Sequence, residues 1–198
     1  MSKQAKQARK LATAPQQVKI LAGQWRATSL PVLLNDDIRP TPSRVRETLF
    51  NWLQPTLEGS RCLDLFAGSG ALGFEAVSRG AKSAHLIDKD PQVIRLLKQQ
   101  VEKLNADGIQ VICDDAYNYL QYCEGAFDII FLDPPFTKLH PFELLQIIQS
   151  KCLLKAGGCI YVEYSIKNNT DSMPVDWRWR RQSKAGEVEY GLIEQSHQ

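Results

Sequence analysis

LDLFAGSGALG, residues 63–73, runs from an apolar stretch into a glycine-rich turn and on into a second apolar stretch. Gly68, Gly70 and Gly73 form a G-x-G-x-x-G between a strand-like run, Arg61–Phe66, and a helical pattern, Ala71–Arg79. Glycine permits the tight turn and lets the backbone come close to a ligand. A loop of this kind marks the first strand-to-helix junction of an open α/β sheet, whose ligands sit beyond the carboxyl ends of the strands.

Working outward, the same alternation continues. Strands are expected at Ser83–Ile87, Ile109–Cys113, Phe127–Leu132 and Cys159–Tyr164. Helices are expected at Pro91–Leu104, Asp115–Tyr122 and Phe142–Cys152. Asp90-Pro91 reads as an N-cap followed by proline at the first helical position, and Val93, Ile94, Leu97, Val101 and Leu104 recur at helical spacing. Two final strands, Trp177–Gln182 and Glu187–Glu194, join around Lys184-Ala-Gly186. Five βα units in sequence imply a mostly parallel, seven-stranded, Rossmann-like α/β sheet covered on both faces, with the terminal antiparallel hairpin closing one edge.

Ahead of that domain, Val18–Leu34 reads as a hairpin turning near Gly23-Gln24. Thr41 is the expected N-cap and Pro42 the first residue of a helix over Ser43–Leu53, with Val45, Leu49 and Trp52 on one stripe. Pro55 and Gly59 are expected to mark the join. The division is therefore 1–17, a basic solvated tail; 18–58, a hairpin-and-helix extension; and 59–198, the main domain.

Composition bounds the chemistry. The 198 residues are 43% hydrophobic and 23% charged, an ordinary globular balance for one domain with a small appendage. No window reaches the roughly 18 apolar residues that cross a bilayer, and the cysteines read as those of a cytoplasmic protein. The five cysteines, Cys62, Cys113, Cys123, Cys152 and Cys159, include no C-x-x-C and read as reduced, mostly buried thiols, with no metal site. Net charge is +2, but residues 1–50 carry nine Lys/Arg and three Asp/Glu, a net of +6, and the remainder a net of −4. A basic N-terminal segment on a mildly acidic body points to contact with a polyanion. Arg26, Arg39, Arg44 and Arg46 are the candidates for phosphate contacts. On a helix Arg44 and Arg46 face differently, so they do not all serve one role.

The glycine loop alone fits either a dinucleotide or S-adenosylmethionine. Asp64, four residues before Gly68, favours the second: it would repel a pyrophosphate but suits a cationic ligand. Asp88, twenty residues after Gly68, is placed for a ribose hydroxyl pair in either case. Asp114-Asp115, after the third strand, is placed for an adenine amino group, and Asp115 serves equally as a helix N-cap.

The fourth strand ends FLDPPF, residues 131–136. The two prolines fix the backbone and hence the direction of the carbonyls. Asp133 and the Pro134 carbonyl can each accept one N–H of an exocyclic amine, steering its lone pair toward an electrophilic methyl group. Phe136 offers a face for the base to stack on, which requires an unpaired or flipped nucleotide. His85 and His140 have no nucleophile partner in sequence, and no cysteine lies in a motif suited to attack on a pyrimidine ring. WRWRR, residues 177–181, reads as tryptophans toward the core and arginines toward water.

With these motifs in place, the chain resembles the class I S-adenosylmethionine-dependent amino methyltransferases. More closely it resembles the bacterial RsmD family, the 16S rRNA (guanine(966)-N2)-methyltransferases. The carriers are AGQWR (22–26), RPTPSRVRETLFNWL (39–53), LDLFAGSGALGFEA (63–76) and FLDPPF. The resemblance implies methylation of a guanine 2-amino group in small-subunit rRNA, in an assembled particle, by a monomer. It implies that Asp64, Phe66, Gly68 and Gly70 line the cofactor, Asp88 holds its ribose, Asp115 and Ala116 flank its adenine, and Thr41 closes over it. It assigns Asp133, Pro134 and Phe136 to the target base. Three departures lie in the extension: Ala22 where the family has glycine, Ala27-Thr28-Ser29 where Gly-Arg-Lys is common, and Ser43 where an acid often precedes Arg44. From the residues alone an adenine-N6 methyltransferase stays open, as does a non-catalytic rRNA-binding assembly factor. A nicotinamide-dependent oxidoreductase is disfavoured by Asp64 and by the lack of a substrate histidine or Tyr-Lys pair.

Overall fold

The computed structural model describes residues 17–33, 41–135, 140–168 and 173–196. Seven strands form one sheet in the order β5-β4-β3-β6-β7-β9-β8. They are β3 (Arg61–Asp64), β4 (Ser83–Asp88), β5 (Ile109–Cys113), β6 (Phe127–Leu132), β7 (Leu154–Ser165), β8 (Trp177–Ala185) and β9 (Val188–Gln195). The first five are parallel, while β9 pairs antiparallel with both β7 and β8. The chain leaves β3 toward β4 and β5, then returns to lay β6 and β7 on its other side. The strand order thus reverses between β3 and β6, the place where open α/β sheets bind ligands.

The helices are α1 (Ser43–Leu57), α2 (Ala71–Ser78), α3 (Pro91–Leu104), α4 (Ala116–Tyr122) and α5 (Leu145–Ser150). Two buried clusters, one on each face of the sheet, hold the layers together: Phe50, Phe74, Leu86 and Phe131 belong to one, Leu63, Leu120, Ile130 and Leu145 to the other. Asp90 caps α3 by accepting from Gln92 N, and Asn105 ends it in a left-handed conformation. Among the described residues, four of the sheet's five parallel strands are followed by α-helices and β7 by a single 3-10 turn, so the sequence pattern overcounted the βα units by one.

The N-terminal hairpin is short. β1 (Gln17–Lys19) pairs antiparallel with β2 (Ser29–Pro31), and its first residue lies inside the span expected to be tail. Its connecting segment docks on α2. Leu21 N and Ala22 N donate to Glu75 at 2.7 and 3.0 Å, and Trp25 N donates to Ser78 Oγ at 2.9 Å. Trp25 packs edge-on against Phe74. Gly23 has φ +82°, and a Cβ there would lie 1.8 Å from the Ser78 carbonyl oxygen, so only glycine permits this approach. Ala27 also adopts a left-handed φ of 67°, a conformation that favours glycine.

Two expectations about α1 fail. The N-cap is Pro42, without a side-chain cap, because the Thr41 hydroxyl is turned toward Asp133 instead. The helix also runs through Pro55 to Leu57. The proline ring displaces the bond to the carbonyl of Asn51, and Asn51 is exposed, so water can satisfy that carbonyl. Among the cysteines, Cys62 and Cys159 are buried, whereas Cys113 and Cys152 are exposed and Cys123 is half-buried, so most are not core residues. Among the described residues, no helix is long and apolar enough to cross a membrane.

Candidate active site

Asp64 is the last residue of β3, and its register partner on β6 is Phe131. Asp133 follows the end of β6, so the two carboxyls stand at neighbouring strand ends across the reversal point. Asp64 is 1% exposed. Burial pushes its carboxyl up to about 7, and the nearby Asp88 charge adds to that; backbone N–H groups of Phe66 and Gly73 pull the other way. Asp88, at the end of β4, accepts from Gly68 N at 3.0 Å and from Asp90 N at 2.9 Å. Its carboxyl is also raised by burial, with those two bonds opposing.

The glycines divide the work. Gly68 has φ +50°, and a Cβ there would meet nothing nearer than the Phe66 carbonyl oxygen at 3.9 Å, which leaves room for a ligand. Gly70 has φ +76° and N-caps α2. A Cβ on Gly73 would come within 2.0 Å of the Leu86 side chain, so this glycine seats α2 against β4. Phe66 is half-buried beside the loop. On the third strand's side, Asp115 N-caps α4 by accepting from Tyr117 N at 3.0 Å, and Ala116 is buried behind it. Asp114 accepts from the Tyr122 hydroxyl at 2.6 Å.

The other half of the crevice is assembled from distant segments. Thr41 Oγ1 donates to Asp133 Oδ2 at 2.9 Å. Leu132 pairs with Val162, so the next step along both chains brings Asp133 beside Glu163. Glu163 is 4% exposed and accepts from the Tyr161 hydroxyl at 2.6 Å. Burial, then the Glu163 charge, hold the Asp133 carboxyl well above the usual range, while the Thr41 bond lowers it and Asp64 adds a smaller upward push. Pro134 is buried next to it. Phe136 and Arg39 lie outside the described residues.

Comparison with known proteins shows the family. Residues 18–194 match the family model described as conserved hypothetical protein 95. The ribosomal RNA small subunit methyltransferase D of Escherichia coli K12 is 40% identical over 182 residues, covering 92% of each chain. Its Haemophilus influenzae counterpart is 38% identical, covering 90% of this chain and 94% of that one. A solved structure of a putative methyltransferase from Escherichia coli superposes with a TM-score of 0.82 at 38% identity, covering 92% of this chain and all of that one.

The chain belongs to the RsmD family of S-adenosylmethionine-dependent methyltransferases. The residues present suit that cofactor. Asp64 and Asp133 share one end of the sheet, and among the described residues no lysine or arginine is among the charges acting on either. Buried carboxyls without a cationic partner favour a ligand that brings its own positive charge, as the ammonium and sulfonium of this cofactor do.

The family motifs of the extension serve purposes the sequence did not disclose. Ala22, Gly23 and Trp25 of AGQWR fasten the hairpin to α2, as described above, while Arg26 is exposed. Arg44 is exposed on α1. Arg46 is not a phosphate contact: it is 2% exposed, donates to the Lys19 carbonyl at 3.0 Å and stands 3.6 Å from Glu75. Its place on the buried stripe of α1, one residue after Val45, puts it beneath the hairpin rather than in solvent. Glu75, fully buried, also accepts from Arg79 Nε at 2.6 Å. Sequence reading missed Glu75 and Glu163; the available signal was an acid in an otherwise apolar helix, GALGFEAV, and in an otherwise apolar strand, IYVEY. His85 lies mid-strand against Tyr119 and Phe127, and His140 caps the 3-10 turn over Pro141–Leu144, so neither stands at the crevice as a base. Trp177 is buried and Trp179 half-buried, with Arg178 paired to Glu194, in keeping with a structural role.

Proposed function

We propose that this protein transfers a methyl group from S-adenosylmethionine to the exocyclic N2 of a guanine in 16S rRNA, guanine 966 in the family's description, within the small ribosomal subunit. The observation that carries this reading is the placement of Asp133 at the end of β6, next to Asp64 at the end of β3 and, among the described residues, with no lysine or arginine among the charges acting on it. Asp64, with the Gly68–Gly70 loop, would hold the charged amino-acid end of the cofactor; Asp88 would take the ribose and Asp115 and Ala116 the adenine. When bound, the cofactor supplies an electrophilic methyl on a sulfonium.

Asp133 and the Pro134 carbonyl accept the two N–H bonds of the target amine and aim its lone pair at that methyl. Positive charge developing on that nitrogen as it gains the methyl group would lie beside the Asp133 carboxylate, which would stabilise it. Phe136 supplies the stacking face. The 18–58 extension acts as a cover, with Arg26, Arg39 and Arg44 toward RNA phosphates, on the 59–198 methyltransferase domain, with 1–17 as a basic tail. The protein acts as a cytoplasmic monomer.

Nucleoside analysis of rRNA tests this. A strain lacking the gene should lose one N2-methylguanosine from 16S rRNA, regained with the wild-type gene and not with Asp133→Ala. Loss of an N6-methyladenosine instead would favour the adenine reading, and loss of no methyl mark would favour a binding factor.

A further inference from the structure

The edge strand β8, WRWRRQSKA, carries four basic residues, two of them paired and two not. Arg178 stands 2.8 Å from Glu194, and Lys184 3.3 Å from Glu189. Among the described residues, Arg180 and Arg181 have no carboxylate partner, and the Arg181 guanidinium donates only to the Arg180 carbonyl, at 3.3 Å. A β-bulge aims this unpaired couple. Trp179 pairs with Ile193 and Arg181 with Leu192, so Arg180 is an extra residue in the ladder. In an unshifted ladder Arg181 would face Gly191 and point, with Trp177 and Trp179, to the Leu63 side of the sheet. The bulge sets it opposite Leu192 instead, on the side of Phe131 and Tyr161. Arg180 alternates with Trp179 and so lies on that side too, where its charge acts on the Cys159 thiol. A Cβ on Gly191 would come within 2.2 Å of the Arg181 carbonyl oxygen, so glycine there lets the bulged strand close up.

The strand register relates this couple to the active site. Arg181 pairs with Leu192, Leu192 with Tyr161, Tyr161 with Phe131 and Phe131 with Asp64, so Arg181 stands in the row of side chains that ends β3. Asp133 lies two residues beyond Phe131, on the same face. Three interstrand gaps, about 14 Å, separate β6 from β8. Helix α1 covers the same face: Trp52 stacks on Tyr190 of β9, and Arg44 and Thr48 precede it at helical spacing along that flank. Arg44 and Arg181 are exposed and Arg180 is half-buried. Charge on an edge strand deters pairing with another chain, and any exposed cation serves that end. It does not require two cations turned onto one face and left without acids.

We propose that Arg180 and Arg181 bind phosphates of the substrate RNA, giving the enzyme a second grip on the far side of the sheet from the glycine loop. This rests on the rRNA reading above and adds the edge strand to the extension as an RNA-binding surface. The couple is unneutralised, so a polyanion supplies the charge it lacks. It shares a face with Asp133 but is set back from β6, so it meets the backbone flanking the target nucleotide and not the target base.

The test is binding to undermethylated small subunits across a range of salt by the double variant Arg180→Gln/Arg181→Gln, which removes both charges and keeps polar stems. The slope of log affinity against log salt should fall by about two, and affinity at moderate salt by about tenfold. In methyl transfer the loss should appear in KM for the subunit and not in cofactor affinity. Arg180→Lys/Arg181→Lys should keep the slope. Lys184→Gln, which removes a paired charge on the other face, should leave it unmoved. Hydroxyl-radical footprinting at saturating enzyme should show a stretch of rRNA backbone that the wild type protects and the glutamine variant does not. An unmoved slope overturns the proposal. So does lost affinity with an unchanged rRNA footprint, which would point to an acidic ribosomal protein as the partner. Should the double variant aggregate or melt early, Arg181→Gln alone decides, with an expected slope change of about one. A wild type that fails to bind small subunits would instead sink the reading beneath it.

Discussion

The rim of the sheet and the N-terminal extension carry charge of opposite sign under opposite conditions. At the rim, Asp64, Asp133 and Glu163 are held by burial with carboxyls raised. On the extension, Arg26 and Arg44 stand exposed. Asp64 and Glu163 are buried and Asp133 is half-buried, an arrangement that suits a cation small enough to enter the crevice. The arginines are wet and suit a large polyanion that never enters it. Arg46 is the instructive exception, since its charge is that of its neighbours but its burial matches the acids. Among the buried charges a partner makes the difference: Arg46 faces Glu75, whereas among the described residues no lysine or arginine is among the charges acting on Asp64 or Asp133.

The strongest way to break this contrast is at the point where the two regions meet. Glu75 accepts from two hairpin N–H groups and from Arg79, and pairs with Arg46. Glu75→Ala leaves those donors and a buried guanidinium unpartnered, so it should cost about 3–5 kcal/mol of stability in urea unfolding. A loss within the range of an exposed ion pair would show that the hairpin is held some other way.

The acidic side is sharpened by pH. The Asp64 carboxyl is raised from the ordinary value of 3.8 to about 7, so the folded chain binds this proton more tightly than the unfolded one. Between those two values the ligand-free protein therefore loses stability as pH rises. A cationic ligand prefers the ionised form, so cofactor affinity should rise by up to about tenfold per pH unit below 7 and level off above. Calorimetry in buffers of different ionisation enthalpy should detect proton release, and Asp64→Asn should abolish both effects. A flat wild-type affinity would mean that Asp64 does not face the cation.

The smallest effects belong to the exposed arginines. Arg44→Ala or Arg26→Ala should weaken binding to small subunits only severalfold and reduce the slope of log affinity against log salt by about one each. Arg46→Ala should lower stability instead, with the salt slope of the remaining folded protein preserved.

What the sequence disclosed follows the same division. The glycine loop and the Asp90 cap were legible because each is a local pattern whose residues act within a few positions of one another. The Phe127–Leu132 strand was legible as an unbroken apolar run, buried at every position but Asp128. Thr41 with Asp133, and Glu75 with the hairpin, were not, because those bonds span 92 and 53–54 residues. Thr41 carried a valid local reading as an N-cap, and a long-range bond took its hydroxyl away. Pro55 carried a valid reading as a helix stop, and solvent at Asn51 removed the penalty. The family resemblance named AGQWR, but only coordinates reveal that Gly23 is there to let the hairpin touch α2.

The central claim is that Asp133 receives the target amine opposite the methyl donor. A crystal structure with S-adenosylhomocysteine and a guanosine-containing RNA oligonucleotide tests it most directly. The account predicts the 2-amino nitrogen about 2.7–3.2 Å from Asp133 Oδ1, with the thioether sulfur on the nitrogen's other side. A cofactor sulfur turned away from Asp133, or a base bound in the crevice with no contact to that carboxylate, would contradict it.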